Sequence, residues 1–272
     1  APTPAQLANL KSDMVWMVKT VVNGVEVLAP QVYLAPTTIA SLAINEESGT
    51  IAAKDMNMDL KSLSNTGGTI KAENDLNIKS KGDITNTSGK IQGGNVAIES
   101  TEGNIKNETM TKNVTTKNGM DTVAGATATI SSTNDMSLKA AKDITIKGAN
   151  VDAGGSLKAD AGGSLNVQAL ETKTKGEGLN YTTDVAGSTI SSGKDMSLSS
   201  KGDMNIEASK IKAGGNLDMK TEGDMNIVAK ESKSFDHQSS GNNVRNTTTT
   251  TNRGSLIESG GNANLKAAND IT

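Results

Sequence analysis

The chain has no cysteine, only 4 prolines, and one Trp, one Phe and two Tyr among 272 residues. Without cysteine there is no disulfide framework and no thiolate metal site, although export is neither implied nor excluded by that. The scarcity of aromatics, with 34% apolar residues, removes the bulky side chains that a large compact core uses. Charge of one sign is also missing: 27 basic and 30 acidic residues are finely interspersed and give a net charge of −3. No basic stripe exists for a phosphate backbone, which argues against nucleic acid as a partner. No apolar run approaches membrane-spanning length. The opening APTPAQ has neither an initiator Met nor an apolar signal core, which predicts a piece of a longer polypeptide.

What the chain does have is repetition. The stretch from Ile130, ISSTNDMSLKAAKDITIKGANV, is echoed from Ile190 by ISSGKDMSLSSKGDMNIEASKI, sixty residues on. A shorter step of 21 lies inside each block: Ile70 recurs as Ile91, Ile130 as Val151, and Ile190 as Ile211. Periods of this size mark repeat architectures, in which each unit buries its apolar edge against the next and so needs only a thin continuous core.

Within a unit the apolar residues sit at fixed offsets. From Ile190 they are Met196 and Leu198, then Met204 and Ile206; from Ile211 they are Leu217 and Met219, then Met225 and Ile227. Spacing of i, i+2 places both side chains on one face of a strand. GKD, KGD, AGG and TEGD stand between the pairs, where Gly allows positive φ and Asp or Asn bonds turn amides. Each 21-residue unit therefore predicts one rung of three short strands and three corners. Stacked rungs about 4.8 Å apart pair strand on strand in parallel. The expected fold is all-β, a parallel β-helix with an interior of Ile, Leu, Met and Val and with Lys, Ser, Asn and Thr turned outward. The core ladder is then Ile70, Ile91, Ile130, Val151, Ile190, Met196, Leu198, Met204, Ile206, Ile211, Leu217, Met219, Met225 and Ile227.

The rungs come in doublets, and the β-helix region is expected over residues 37–272, with looser rungs through Ile51, Met56, Met58 and Leu63. In the rung of Ile91, Val96 and Ile98 arrive one residue early before Ile105 restores the phase. Polar excursions fall near 107–129, 168–189 and 228–256. ETKTKGEGLNYTTDV and NNVRNTTTTTNRG alternate Thr with Lys, Asn or Ser, and a Gly lies near the middle of each excursion. These favour exposed hairpins, with loops as the alternative. Recurrence at one point of the repeat puts them on one side of the column. Thr172, Lys173, Thr174, Tyr181, Thr247, Thr248 and Thr249 form the candidate interaction surface, and self-association through the excursions is a further expectation because hairpin edges carry unpaired backbone groups.

Residues 1–36 differ. Thr3 and Pro4 before AQLANL predict a short helix, and DMVWMVKTVV and VEVLAP flank Asn23-Gly24, a type I′ hairpin signal. This segment is expected either to cap the open end of the column or to join it to a preceding domain.

Chemistry-bearing residues are few. His237 has no second His or Cys to complete a zinc site and reads as a surface residue, while neighbouring Phe235 is expected to anchor its excursion on the column. Asp55, Asp75, Asp83, Asp135, Asp143, Asp195, Asp203 and Asp224 precede strand residues; they could stack as calcium ligands or bond corner amides, and the absence of GGxGxD spacing favours the latter. A polysaccharide-cleaving β-helix would need a carboxylate pair or basic residue among aromatic sugar platforms, and only Arg245, Arg253 and four aromatics occur. No catalytic residue, metal or cofactor is implied.

The rungs SSGKDMSLSSKGDMNIEASKIKAGGNLDMKTEGDMNIVA resemble the haemagglutinin repeats of filamentous-haemagglutinin-like exoproteins of two-partner secretion. Their combination with the ETKT and AKESKS excursions, and with DMVWMVKTVVNGVEVLAPQVYLAP upstream, is most similar to the second repeat region of contact-dependent growth-inhibition effectors. The resemblance implies a secreted, cell-surface filament of parallel β-helix, released through an outer-membrane partner transporter. It also implies a role in carrying a C-terminal toxin across the outer membrane of a target cell, or, in adhesin members, a stalk that meets a surface receptor. The pretoxin motif VENN and an N-terminal secretion domain do not occur in this sequence.

Overall fold

The computed structural model describes residues 14–22, 25–33, 49–240 and 243–272. The expected helix after Thr3, the Asn23-Gly24 turn and residues 37–48 lie outside these. The strands Met14–Val22 and Val25–Tyr33 pair antiparallel, Val22 opposite Val25.

From Thr50 onward the chain is a parallel β-helix. Three parallel sheets of 8, 8 and 7 strands form the faces of one column, and each rung contributes one strand to each face before the chain climbs to the next. On the first face Ile51, Ile70, Ile91, Ile130, Val151, Ile190, Ile211 and Ile257 stand in one register. On the second face the stack is Met56, Leu76, Val96, Met136, Leu157, Met196, Leu217 and Ala263. The third face stacks Leu63, Ile84, Ile105, Ile144, Leu165, Met204 and Met225, and Ile271 bridges to Met225 in the last rung. Ile70, Ile91, Ile130, Val151, Ile190, Met196, Leu198, Met204, Ile206, Ile211, Leu217, Met219 and Met225 are buried, and Ile227 is partly buried against them. Each such side chain contributes roughly 1.5–3 kcal/mol by leaving water. Stacking aliphatics rung on rung gives a thin continuous core, which is how the column does without aromatics.

The early phase of Val96 is a shortened corner: the second-face strand begins at Asn95, directly after Gly93 and Gly94. A Cβ at Gly94 would lie 2.5 Å from the carbonyl oxygen of Asn74 in the rung below, so the backbones there approach too closely for any side chain.

The interior is not wholly aliphatic, which corrects the expectation that Asn, Ser and Thr all face outward. In the first three rungs the second inward position of the third face is Asn65, Asn86 and Asn107, all buried. Their amides form a ladder: Asn65 Nδ2 donates to Asn86 Oδ1 at 2.8 Å, and Asn86 Nδ2 to Asn107 Oδ1 at 2.7 Å. The remaining donor hydrogens reach the carbonyl oxygens of Gly68, Gly89 and Asn150. Inward Asn is tolerated because identical amides one rung apart satisfy each other. From the fourth rung Ile146, Val167, Ile206 and Ile227 take the same column. Ser100, Ser200 and Thr221 are buried at the ends of their second-face strands, where Ser100 Oγ donates to the Gly82 carbonyl at 2.8 Å.

The corner carboxylates clamp rung to rung. Asp135 Oδ1 accepts the N–H of Ser156 at 2.8 Å, Asp195 that of Asn216 at 2.7 Å, Asp143 that of Ser164 at 2.8 Å and Asp203 that of Asp224 at 3.0 Å. Among the described residues no group of acids or His could hold a metal ion. In each of these four carboxylates Oδ1 accepts the amide of a neighbouring rung, the corner bonding expected of them.

Candidate functional site

After its third strand a rung either turns at once into the next or sends out a hairpin. The immediate turns use left-handed residues: Gly67 (φ 67°), Ser88 (φ 49°), Gly148 (φ 55°) and Ala208 (φ 46°). Gly148 has a second reason to lack a side chain, because a Cβ there would lie 2.5 Å from that of Leu170, where the second hairpin begins. Twenty-one residues beyond Ser88, Gly148 and Ala208 stand Thr109, Ala169 and Ala229, and there the chain leaves the column.

Three hairpins result: Thr111–Thr116 with Gly119–Ala124, Leu170–Lys175 with Tyr181–Ala186, and Lys230–Ser240 with Asn243–Arg253. The column strands take in Asn107, Gln168, Thr189, Val228 and Leu256 at the margins of the excursions. The hairpins do not stand apart but form one six-stranded antiparallel sheet along a single side of the column. Thr122 pairs with Lys173 between the first two, and Tyr181 with Phe235 and Thr182 with Ser234 between the last two. The doublet follows from spacing. Two rungs rise about 9.6 Å, and the two strands of a hairpin occupy the same about 9.6 Å, so one hairpin per two rungs tiles without gap or overlap.

Each root is tied to the column by hydrogen bonds. Ser88 Oγ accepts the N–H of Met110 at 2.9 Å, and Thr109 Oγ1 donates to the Gly148 carbonyl at 2.6 Å. Ser188 Oγ accepts from Ala149 N–H and donates to the Gln168 carbonyl. Ala169, Val185 and Ala208 form a small buried cluster under the second hairpin. Lys230 and Glu207 make a partly exposed ion pair of 2.8 Å at the third root. Arg253 donates from Nη1 to the Val185 carbonyl at 2.9 Å, tying the third root to the second hairpin.

Farther out, Tyr181 and Phe235 stack with ring centroids 5.7 Å apart, and Lys173 Nζ lies 4.8 Å from the Tyr181 ring centre. The expectation that Phe235 anchors on the column is thereby corrected: the ring joins hairpin to hairpin, because an aromatic in a cross-strand position finds its largest flat partner on the neighbouring strand. His237 Nδ1 lies 2.6 Å from Asn246 Oδ1, and its backbone N–H donates to Asn180 Oδ1. Lys173, Tyr181 and Phe235 thus come together. Thr172 and Thr174 lie on the same strand as Lys173, half-buried and exposed, and Thr247, Thr248 and Thr249 are exposed on the outermost strand.

The column itself offers a shallow open groove on its second face, lined by Asp135, Ser156, Lys158, Asp195, Ser197 and Asp218 among others. Asp135 and Asp195 accept backbone amides of the next rung there, and no aromatic residue lines the groove.

Two family models match the chain, both described as haemagglutinin repeat, one over residues 111–182 and 173–245 and the other over 48–109 and 237–272. Among curated proteins the chain is 30% identical to a tRNA nuclease CdiA of Escherichia coli O6:K15:H31 over 71% of its length, and 32% identical to a deoxyribonuclease CdiA of Dickeya dadantii over 99%. It is 33% identical over 56% of its length to a 16S rRNA endonuclease CdiA of Enterobacter cloacae. The chain spans 7%, 9% and 5% of those proteins respectively. No solved structure matches it.

Proposed function

Because the chain belongs to the haemagglutinin-repeat family and forms a CdiA-like repeat module of a secreted cell-surface exoprotein, we propose that it serves delivery of a C-terminal toxin across a target cell's outer membrane. One observation carries this reading. The similar proteins are named for three different nucleic-acid cleaving activities, yet the shared segment is a small fraction of each. A segment common to proteins whose named chemistries differ is best read as the part that does not perform the chemistry.

In this reading the column supplies length and stiffness, and the hairpin sheet is the surface that meets the target envelope or a receptor on it. An adhesive stalk uses the same two parts without the toxin. The exposed apolar residues of the N-terminal hairpin, Val15, Trp16, Met17 and Leu28, suit a cover for the first rung or a junction to another domain.

The test is a deletion of Thr172 to Thr183 in the full-length exoprotein. The expected outcome is unchanged β-sheet circular dichroism and melting of the column with delivery abolished. A folded deletion variant that delivers normally would overturn the proposal. Retained cell binding with lost delivery would separate transport from adhesion.

A further inference from the structure

The outermost strand of the hairpin sheet, Asn243–Arg253, is paired on one side only. Lys233 donates its backbone N–H to Thr183 Oγ1 at 2.8 Å, and His237 donates its own to Asn180 Oδ1. These residues therefore turn their backbone toward the second hairpin. Thr250 and Asn246, opposite them in the third hairpin, must turn theirs the other way, and by strand alternation so do Val244, Thr248 and Asn252. The free edge is thus a row of backbone donors and acceptors. It carries few of the usual protections: the strand has no Pro, no Lys, no acid and no bulge, its charges are Arg245 and Arg253 alone, and Val244–Arg253 is exposed throughout.

Its sequence is also self-complementary. From Arg245 to Arg253 it reads Arg-Asn-Thr-Thr-Thr-Thr-Thr-Asn-Arg, the same in both directions about Thr249. Two copies laid antiparallel about a two-fold axis at Thr249 place Thr opposite Thr and Asn opposite Asn. Such pairs are favourable across antiparallel strands. Thr248 then meets Thr250 of the other copy, and both turn their backbone groups to the shared edge. This continues the edge-to-edge pairing that already joins the three hairpins to one another.

We propose that Asn243–Arg253 is a self-association edge whose partner is the same strand of a second copy of this chain, paired in the register centred on Thr249. The inference rests on the reading of the hairpin sheet as the contact surface and names its partner. A single strand pair buries far less than the roughly 1,600 Å² of a standard interface, so the pairing is weak between isolated chains and gains by multivalency where many copies share a surface. Arg245 faces Arg253 of the other copy, so added salt strengthens association rather than weakening it.

The absence of cysteine gives a clean experiment. In the Thr249-centred register the two Thr249 residues face each other where the new ladder has no hydrogen bond, at a Cα separation of about 4.5 Å that a disulfide can bridge. Under mild oxidation Thr249→Cys is expected to give a disulfide dimer at least tenfold faster than Thr247→Cys or Thr251→Cys alone, while those two variants mixed cross-link to each other. Sedimentation of the unmodified chain is expected to show reversible dimerisation, weakened at least tenfold by Thr249→Lys. Equal cross-linking at all three positions, or a chain that stays monomeric at every accessible concentration and salt, would overturn the inference. If Thr249→Lys abolishes dimerisation and leaves delivery intact, the edge stands and its service to delivery falls; the Thr172 to Thr183 deletion tests that function separately.

Discussion

The column and the hairpin sheet are built from the same backbone chemistry and differ in what makes each of them hold. In the column most inward side chains are aliphatic and stacked on aliphatics of the neighbouring rungs, and burial does the work. Ile91, Val151, Ile190, Met204 and Met219 are 0% exposed. In the hairpin sheet the strands of the third hairpin have polar residues on both faces, and what joins hairpin to hairpin is a few backbone pairs, one aromatic stack and a handful of side-chain hydrogen bonds. One region has its stability in its side chains. The other has mainly its ladder, and most of its side chains in the third hairpin stay in solvent.

The comparison can be broken most severely by moving a charge from one region to the other. Met196→Asp puts an unpaired carboxylate into the column, which costs several kcal/mol and should abolish a cooperative melt, whereas Thr248→Asp on the outer strand should stay within about 0.5 kcal/mol. Equal effects in thermal denaturation would contradict the assignment of faces. Next in size, Asn86→Leu interrupts the internal amide ladder and strands both Asn65 and Asn107. A loss of about 1–3 kcal/mol is expected by denaturant titration, and Asn86→Asp should not rescue it, because a carboxylate cannot donate to Asn107.

Phe235→Ala probes the other region. It removes an aromatic pair worth about 0.5–1.5 kcal/mol, and the loss should show as faster hydrogen exchange in Lys230–Ser240 and Tyr181–Ala186 with the column amides unchanged. A lowered melting temperature for the column would mean that the two regions fold as one unit.

The smallest expected effect is at Asp83. The N–H of Asn104, and then its side-chain amide, hold this carboxyl below its usual range, assisted by Lys106 and Lys142. A depressed folded pKa contributes stability that is fully present above the unfolded carboxyl range and is lost as pH falls through the lower folded value. Asp83 is solvent-exposed, so the contribution is slight. Asp83→Asn should therefore lose slightly less melting temperature than the parent as the solution is taken from neutral into acid, with the two alike near neutrality.

The rungs were legible in the sequence because aliphatic residues two apart, recurring every 21, can satisfy only one geometry. Asn65, Asn86 and Asn107 recur at the same step and were open to the same reading. Their polarity sent them outward in expectation, since an inward amide is acceptable only when an identical neighbour satisfies it, a fact of stacking that no single position carries. The immediate corners at Ser88 and Ala208 hide for a related reason, because neither residue advertises positive φ. The excursions were visible as breaks in phase. Their union into one sheet was not, because the Tyr181–Phe235 contact joins residues 54 positions apart without any shared periodicity. Legibility thus follows the column's division of labour: what burial dictates can be read, and what a few exposed contacts dictate cannot.

The matched spacing of hairpins and rungs also sets a rule of parity on how such a molecule can change length. Adding one rung between two hairpins would open a one-strand vacancy in the outer sheet, and removing one would force two strands into a single slot. Growth or loss between hairpins that keeps both the column and the hairpin sheet whole must therefore proceed two rungs at a time, in steps of about 9.6 Å along the axis. The sixty-residue echo is the smallest edit there that column and hairpin sheet can both accept.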